Sequence, residues 1–224
     1  MLTRGTLVSE GQVVIVKKIL LENITSFYGK HALHLQDGIN FIIGPGGSGK
    51  TNVARALEFA FLGYASVPRK KLFNFRHTRE NLEKSQKPFC QVEVEIQHEN
   101  RNYIIRSGLS MIGEKEITES LTIPPEIDSV ITDKTFQHVY LSPLTLDSTE
   151  EDGTHSTATR ITRSVINHLM LNLKAGIKMA ILDGILEQLS HKYSEQLLGV
   201  ISQIALEQTI IITSPQPMPY NLED

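Results

Sequence analysis

Residues 44–51 read Gly44-Pro45-Gly46-Gly47-Ser48-Gly49-Lys50-Thr51. The run fits G-x-x-x-x-G-K-[ST], the pattern of a phosphate-binding loop. Its chemistry follows from the residue types. Glycines leave backbone N–H groups free to converge on anionic oxygens, where side chains would obstruct them. Lys50 supplies a cation for the β- and γ-phosphates of a nucleotide, and the Thr51 hydroxyl supplies a ligand for the accompanying Mg²⁺. The alternative, an ordinary glycine-rich turn, is answered by the segments that flank the run.

Upstream, Ile39-Asn40-Phe41-Ile42-Ile43 is apolar and branched, the signature of a buried parallel strand. Downstream, residues 52–63 (NVARALEFAFLG) read as a helix that opens at Asn52 and ends on Gly63. Strand, glycine loop and helix is the setting the pattern requires, with phosphates at a helix N-terminus. Such a site also needs an acid at the end of a neighbouring strand to orient Mg²⁺ and its waters. Met179-Ala180-Ile181-Leu182-Asp183 has that form, so Asp183 is the candidate Walker B acid, and ATP and Mg²⁺ are the expected ligands.

Composition narrows the setting. The net charge of -3 gives no global nucleic-acid signal, so a basic surface must be local. One such run holds Arg69, Lys70, Lys71, Arg76, Arg79, Lys84 and Lys87, interleaved with Phe73 and Phe75. It is a candidate contact for the phosphates of double-stranded DNA, above all through Arg69, Lys70, Lys71, Arg76 and Arg79. Its bland counterpart is a solvated loop balanced by Glu80 and Glu83. A single cysteine, Cys90, excludes an internal disulfide or a cysteine-based zinc cluster and reads as core. The histidines have no metal-ligand spacing; His31 and His34 lie in an expected strand and face solvent. No apolar run is long enough to span a bilayer, and the first residues lack the apolar centre of a secretory signal. The expectation is a cytoplasmic protein with no membrane contact, or a nucleoid or nuclear one if it meets DNA.

The remaining elements follow from pattern. Residues 13–24 form one or two strands, 32–35 a short one, and Asp37-Gly38 turns the chain into the loop strand. Residues 89–97 alternate, with Val92, Val94 and Ile96 on one face. Residues 99–102 turn, and 103–106 pair back as a hairpin. Residues 114–122 and 136–141 are further strand candidates, with Pro124-Pro125 breaking the chain between them. Residues 160–173 have helical periodicity through Ile161, Val165, Leu169 and Leu173, with Thr157 or Thr159 as the cap. Residues 177–182 are a strand, 185–204 mostly helix, and 209–213 a buried strand. This order implies a parallel α/β core with an antiparallel lobe. One domain accounts for it: residues 1–146 with the loop and lobe, an exposed acidic junction at 147–159, residues 160–214 with Asp183, and an irregular tail at 215–224.

Residues 38–63 (GINFIIGPGGSGKTNVARALEFAFLG), preceded by Leu21-Glu22-Asn23-Ile24, resemble the N-terminal half of SMC and RecF/RecN-type ABC ATPase heads. The branch with the double-strand-break repair ATPases is the most similar. The resemblance continues through the 89–106 hairpin, Val139-Tyr140-Leu141, Ile181-Leu182-Asp183 and 209–213. It implies a P-loop NTPase of ABC/SMC-head type, with a mostly parallel sheet flanked by helices and an antiparallel β lobe. Family heads are split by a long coiled-coil arm. Here only residues 145–155 lie at that point, so the arm is missing from this sequence. The position of Tyr28 before the loop strand makes it a candidate to stack near the adenine.

The departures fall on one function. The family's Q-loop glutamine falls near Ser142-Pro143, with Gln137 too early. Its signature motif falls at His155-Ser156-Thr157-Ala158-Thr159, without either glycine. The general-base glutamate position is Gly184, and the switch-histidine position is Ser214. Glu187 is the alternative acid, about a helical turn from Asp183. The phosphate cradle, lysine and metal-binding groups remain, while the groups that activate water and sense the γ-phosphate are altered. Cleavage needs transition-state stabilisation rather than ground-state grip. The expectation is a head that binds ATP and hydrolyses it weakly or not at all. It would act by nucleotide-dependent association with a second copy, a partner ABC/SMC-like subunit or DNA in repair or chromosome maintenance. The alternatives are an ATPase completed by a partner subunit, a small-molecule P-loop kinase, and an interaction protein with a vestigial loop.

Overall fold

The computed structural model describes residues 14–63, 67–113, 116–128, 157–174, 179–205 and 209–215. Two sheets enclose one helix. The first sheet is antiparallel and runs β2 (Lys30–His34), β1 (Val14–Glu22), β4 (Phe89–His98), β5 (Arg101–Ile112), β6 (Glu116–Thr122). The second is parallel and runs β3 (Ile39–Ile43), β8 (Thr209–Ser214), β7 (Met179–Leu182). Helix α1 (Lys50–Leu62) lies between them; α2 (Phe75–Glu83) and the short α3 (Pro125–Asp128) attach to the lobe. Helices α4 (Thr157–Lys174) and α5 (His191–Ile204) cover the far side of the parallel sheet.

Alternation along the strands produces this layering. In the parallel sheet Met179, Ile181 and Ile211 join the α1 core, while Ala180, Leu182, Ile210 and Ile212 join the α4–α5 core. Side chains of a strand alternate between faces, so two buried faces give the continuous apolar runs seen in β7 and β8. In β4, Cys90, Val92, Val94 and Ile96 are buried against α1 and its neighbours, and the residues between them are half-buried. The Ser107 hydroxyl donates to the Ala60 carbonyl (3.1 Å), tying β5 to the last turn of α1. Phe59 is fully buried in this layer.

Several boundaries differ from expectation for physical reasons. Residues 14–22 make one strand, with a bulge between Val16 and Lys18. The extra residue lets Val16 and Ile19, three positions apart, both reach the core. The hairpin turn is only Glu99-Asn100, both at positive φ (48° and 61°), as a tight two-residue turn demands. The 185–204 segment is a 3₁₀ turn (Leu186–Gln188) and α5, separated at Leu189-Ser190. Helix α4 already begins at Thr157, which removes both Thr157 and Thr159 as its cap. Strand β3 is parallel but not buried: its first four residues are half-buried and Ile43 is 48% exposed. Among the described residues it lies at the edge of the sheet, paired only to β8. The antiparallel lobe is also the larger sheet, five strands against three among the described residues. The expected strand at 136–141, the acidic residues 147–156 and the tail at 216–224 lie outside the described residues.

Candidate functional site

The P-loop joins β3 to α1 at the end of the parallel sheet. Helix α1 opens at Lys50, two residues earlier than the sequence suggests, so its first N–H groups are part of the loop. The loop is pinned at its start, where the Gly44 N–H donates to the Ser214 carbonyl (3.1 Å) at the end of β8. Gly47 and Gly49 adopt positive φ (78° and 98°), a region that L-residues avoid. Pro45, Gly46, Gly47 and Ser48 are exposed. The Lys50 ammonium folds back over the loop and donates to the Gly44 (2.7 Å) and Pro45 (3.1 Å) carbonyls. A phosphate entering the loop would meet this ammonium directly.

The acid arrives from β7. Parallel pairing sets Leu182 opposite Ile212, so Asp183 emerges beside Thr213. Asp183 is 8% exposed. Its Oδ2 accepts from the Thr51 hydroxyl (2.6 Å) and its Oδ1 from the Thr213 hydroxyl (2.5 Å). Thr213 accepts in turn from the Gly184 N–H (3.0 Å). A hydroxyl and a carboxylate beside a phosphate loop are hard oxygen donors of the kind Mg²⁺ takes. Among the described residues no cluster of three or more His, Cys, Asp or Glu could hold a metal ion. Thr51 and Asp183 would hold Mg²⁺ as two oxygen donors, with nucleotide phosphates and water completing its shell.

A bend between β1 and β2 covers the other side of the loop. The Asn52 amide donates to the Ser26 hydroxyl (3.1 Å), and Arg55 donates to Asn52 Oδ1 (2.9 Å). Beside Asn52 opens a cavity of about 520 Å³, lined by Thr25, Arg55, Lys70, Lys71 and Phe75 among others.

The other sequence candidates separate. Gly184 has φ of 65° and its carbonyl accepts from the Gln188 amide (3.1 Å). Glu187 is exposed in the following 3₁₀ turn. Ser214 is buried at the end of β8. Positions 137, 142–143 and 155–156 lie outside the described residues, while Thr157, Ala158 and Thr159 form the first turn of α4. The charges of the basic run are partly paired. Arg69 pairs with Glu119 on β6, Arg76 with Glu80 (2.8 Å) and Arg79 with Glu83 (2.9 Å). Lys70 and Lys71 instead line the cavity beside Asn52. Tyr28, between β1 and β2, packs against α2: its hydroxyl donates to Glu80 (2.6 Å), and Arg76 lies over its ring at 4.5 Å. Burial pushes the Cys90 thiol up to about 12, as expected of a core cysteine. No described helix is long and apolar enough to cross a membrane.

The AAA domain family matches residues 18–204, most of the chain, with the loop and the acid both inside the match. The chain belongs to that family, as an ATPase head of the SMC/Rad50 type. This SMC/Rad50-type head is 27% identical over 122 residues to the DNA double-strand break repair Rad50 ATPase of Nanoarchaeum equitans, covering 52% of this chain and 14% of that protein. It is 28% identical over 109 residues to the Rad50 ATPase of Thermoplasma volcanium, covering 48% of this chain and 11% of that one. The chain thus spans a small part of these relatives' length. Its fold is that of the SMC head domain from Thermotoga maritima, with a TM-score of 0.60, 15% identity and 89% of each chain covered. An Smc head bound to the C-winged helix domain of ScpA gives a TM-score of 0.63 at 12% identity, covering 91% of this chain and 90% of that one.

Sequence reasoning missed Thr213 and Ser26. Thr213 was legible in principle: if 179–182 and 209–213 are neighbouring parallel strands in register, the residue beside Asp183 is a threonine. Ser26 had no sequence signal, because only the fold brings that bend to Gly49 and Asn52.

Proposed function

We propose that this head binds ATP with Mg²⁺ on residues Gly44 to Asn52 and Asp183, and hydrolyses it slowly or not at all. The contact between Thr51 and Asp183 (2.6 Å) carries the reading, because it joins the loop's metal ligand to the strand-end acid. A cavity open beside Asn52 could take the nucleoside of a nucleotide held on the loop, and Phe75, 79% exposed on its lining, is available for stacking.

Weak turnover rests on the residues just after Asp183. Gly184 carries no carboxylate, and the acid Glu187 is in the next turn with its side chain exposed. Nucleotide occupancy rather than turnover then governs association with a second head, a partner ABC/SMC-like subunit or double-stranded DNA, in repair or chromosome maintenance. For DNA, Arg69, Arg76 and Arg79 must exchange a carboxylate for a phosphate. These pairs are solvent-exposed and cost little to break.

Calorimetric titration of the protein with ATP and Mg²⁺ tests the proposal, with Lys50→Ala as the control and phosphate release followed in parallel. Saturable binding lost in Lys50→Ala, with negligible phosphate release, supports it. Equal binding by both proteins would show a vestigial loop, and rapid release would show a working ATPase. Release that appears only when a second head is added would assign the catalytic groups to a partner.

A further inference from the structure

Asn74 is 6% exposed, and its backbone and both ends of its side chain are committed. Its Oδ1 accepts from the His77 N–H (3.0 Å), the N-cap bond of α2. Its Nδ2 donates to the Thr25 carbonyl (2.9 Å), and its backbone N–H donates to the Asn23 carbonyl (2.8 Å). The bend it grips is an unusual piece of backbone. Asn23 and Thr25 both have positive φ (52° and 51°), and non-glycine residues keep such angles only where their surroundings over-determine them. The Thr25 N–H is tied to the Leu72 carbonyl as well (2.6 Å).

The next residue of the bend, Ser26, meets the nucleotide loop. Its hydroxyl accepts from Asn52, and it packs so closely on Gly49 that a Cβ there would overlap it. A path of direct contacts thus runs from Asn74 through Thr25 and Ser26 to Gly49 and Asn52.

We propose that Asn74 is a positioning residue of the nucleotide site, which sets nucleotide affinity by holding the Thr25–Ser26 bend against the P-loop through its side-chain N–H. This rests on the nucleotide-binding reading above. The two ends of the amide are separable. Asn74→Asp keeps the capping oxygen and turns the donor to Thr25 into a second acceptor, and Asn74→Ser keeps a capping oxygen without the charge and loses the amide N–H group.

The test is an equilibrium titration with a fluorescent ATP analogue and Mg²⁺ on wild type, Lys50→Ala, Asn74→Asp, Ser26→Ala and the Ser26/Asn74 double variant. Unliganded melting temperatures are measured alongside. The expected result is affinity weakened about three- to tenfold in Asn74→Asp, the range of one lost hydrogen bond, beside a lowered unliganded melting temperature, because the Thr25 carbonyl loses its donor. Asn74→Ser should weaken affinity in the same direction without the added charge. The double variant should bind no more weakly than Ser26→Ala alone, because both changes act through one bend. Phe27, whose N–H bonds to the Ile24 carbonyl within the bend, should exchange its amide hydrogen faster in unliganded Asn74→Asp. Wild-type affinity in both Asn74 variants, or effects of Asn74 and Ser26 that simply multiply, would overturn the proposal. Wild type binding no tighter than Lys50→Ala would overturn the nucleotide reading and this inference with it.

Discussion

The Thr51 hydroxyl donates to Asp183 at 2.6 Å across 132 residues of sequence. Strands β3 and β7 do not touch; each pairs with β8, so the strand between them sets this distance. Asp183 also accepts from Thr213 on that middle strand. Asp183→Asn replaces one acceptor oxygen by a donor facing a hydroxyl, and removes the charge that would face Mg²⁺. ATP affinity in Mg²⁺ should fall about 10- to 100-fold, the usual cost of losing an outer partner of a metal site. Affinity measured in EDTA should be little changed. Titrations with and without the metal check this, and an equal loss in both would show that Asp183 holds the loop rather than Mg²⁺.

Gly49 is the loop glycine least open to change. Its φ is 98°, and a Cβ would overlap the Ser26 hydroxyl. Gly49→Ala should cost about 1–3 kcal/mol from backbone strain alone. Gly46 has open space around it and no such φ, so Gly46→Ala should unfold with the wild-type midpoint. Chemical denaturation of the two variants tests the difference.

Gly184, where the family resemblance puts the general base, has φ of 65°, and a Cβ there would meet nothing within 4 Å. Space is available and conformation is the obstacle. Gly184→Glu should therefore lose about 1–3 kcal/mol of stability and still fail to give rapid phosphate release, because the left-handed backbone misdirects the new carboxylate. Fast release by this variant would show that the missing glutamate alone had silenced the site.

His77 gives the lobe a pH dependence. Burial beside Phe89, whose ring centroid is 5.0 Å away, holds its pKa below the ordinary value, against the opposing pull of Glu22 and Glu80. A histidine depressed in the folded state binds its proton more readily when unfolded. Its contribution is complete above about pH 6.5 and is lost as pH falls through the lower folded value. Wild type should lose more stability between about pH 7.5 and pH 5 than His77→Gln, as read by paired denaturation curves. Parallel curves would show that His77 does not drive the effect.

Much of this architecture was legible in residue types. The glycine loop, the helix ending on Gly63 and the acid after an apolar run each carry local signals, and each sits where those signals put it. The edge position of β3 was not legible, since Ile39 to Ile43 reads as buried and burial depends on strand order. The ion pairs of the basic run were legible only in part. Glu80 and Glu83 follow Arg76 and Arg79 at i,i+4, a spacing that signals those pairs, whereas nothing local signals that Arg69 reaches Glu119 on a distant strand. Asn74 was silent because an asparagine before a helix signals only a cap. Its grip on Thr25 is a tertiary contact between residues 49 positions apart.

The central claim is that the loop and Asp183 hold ATP without consuming it. The most direct measurement is to incubate the protein with stoichiometric ATP and Mg²⁺, remove free nucleotide, denature the protein and identify the nucleotide it carried. The account predicts intact ATP from wild type after hours and nothing from Lys50→Ala. Recovery of ADP from wild type, or of no nucleotide at all, would contradict it.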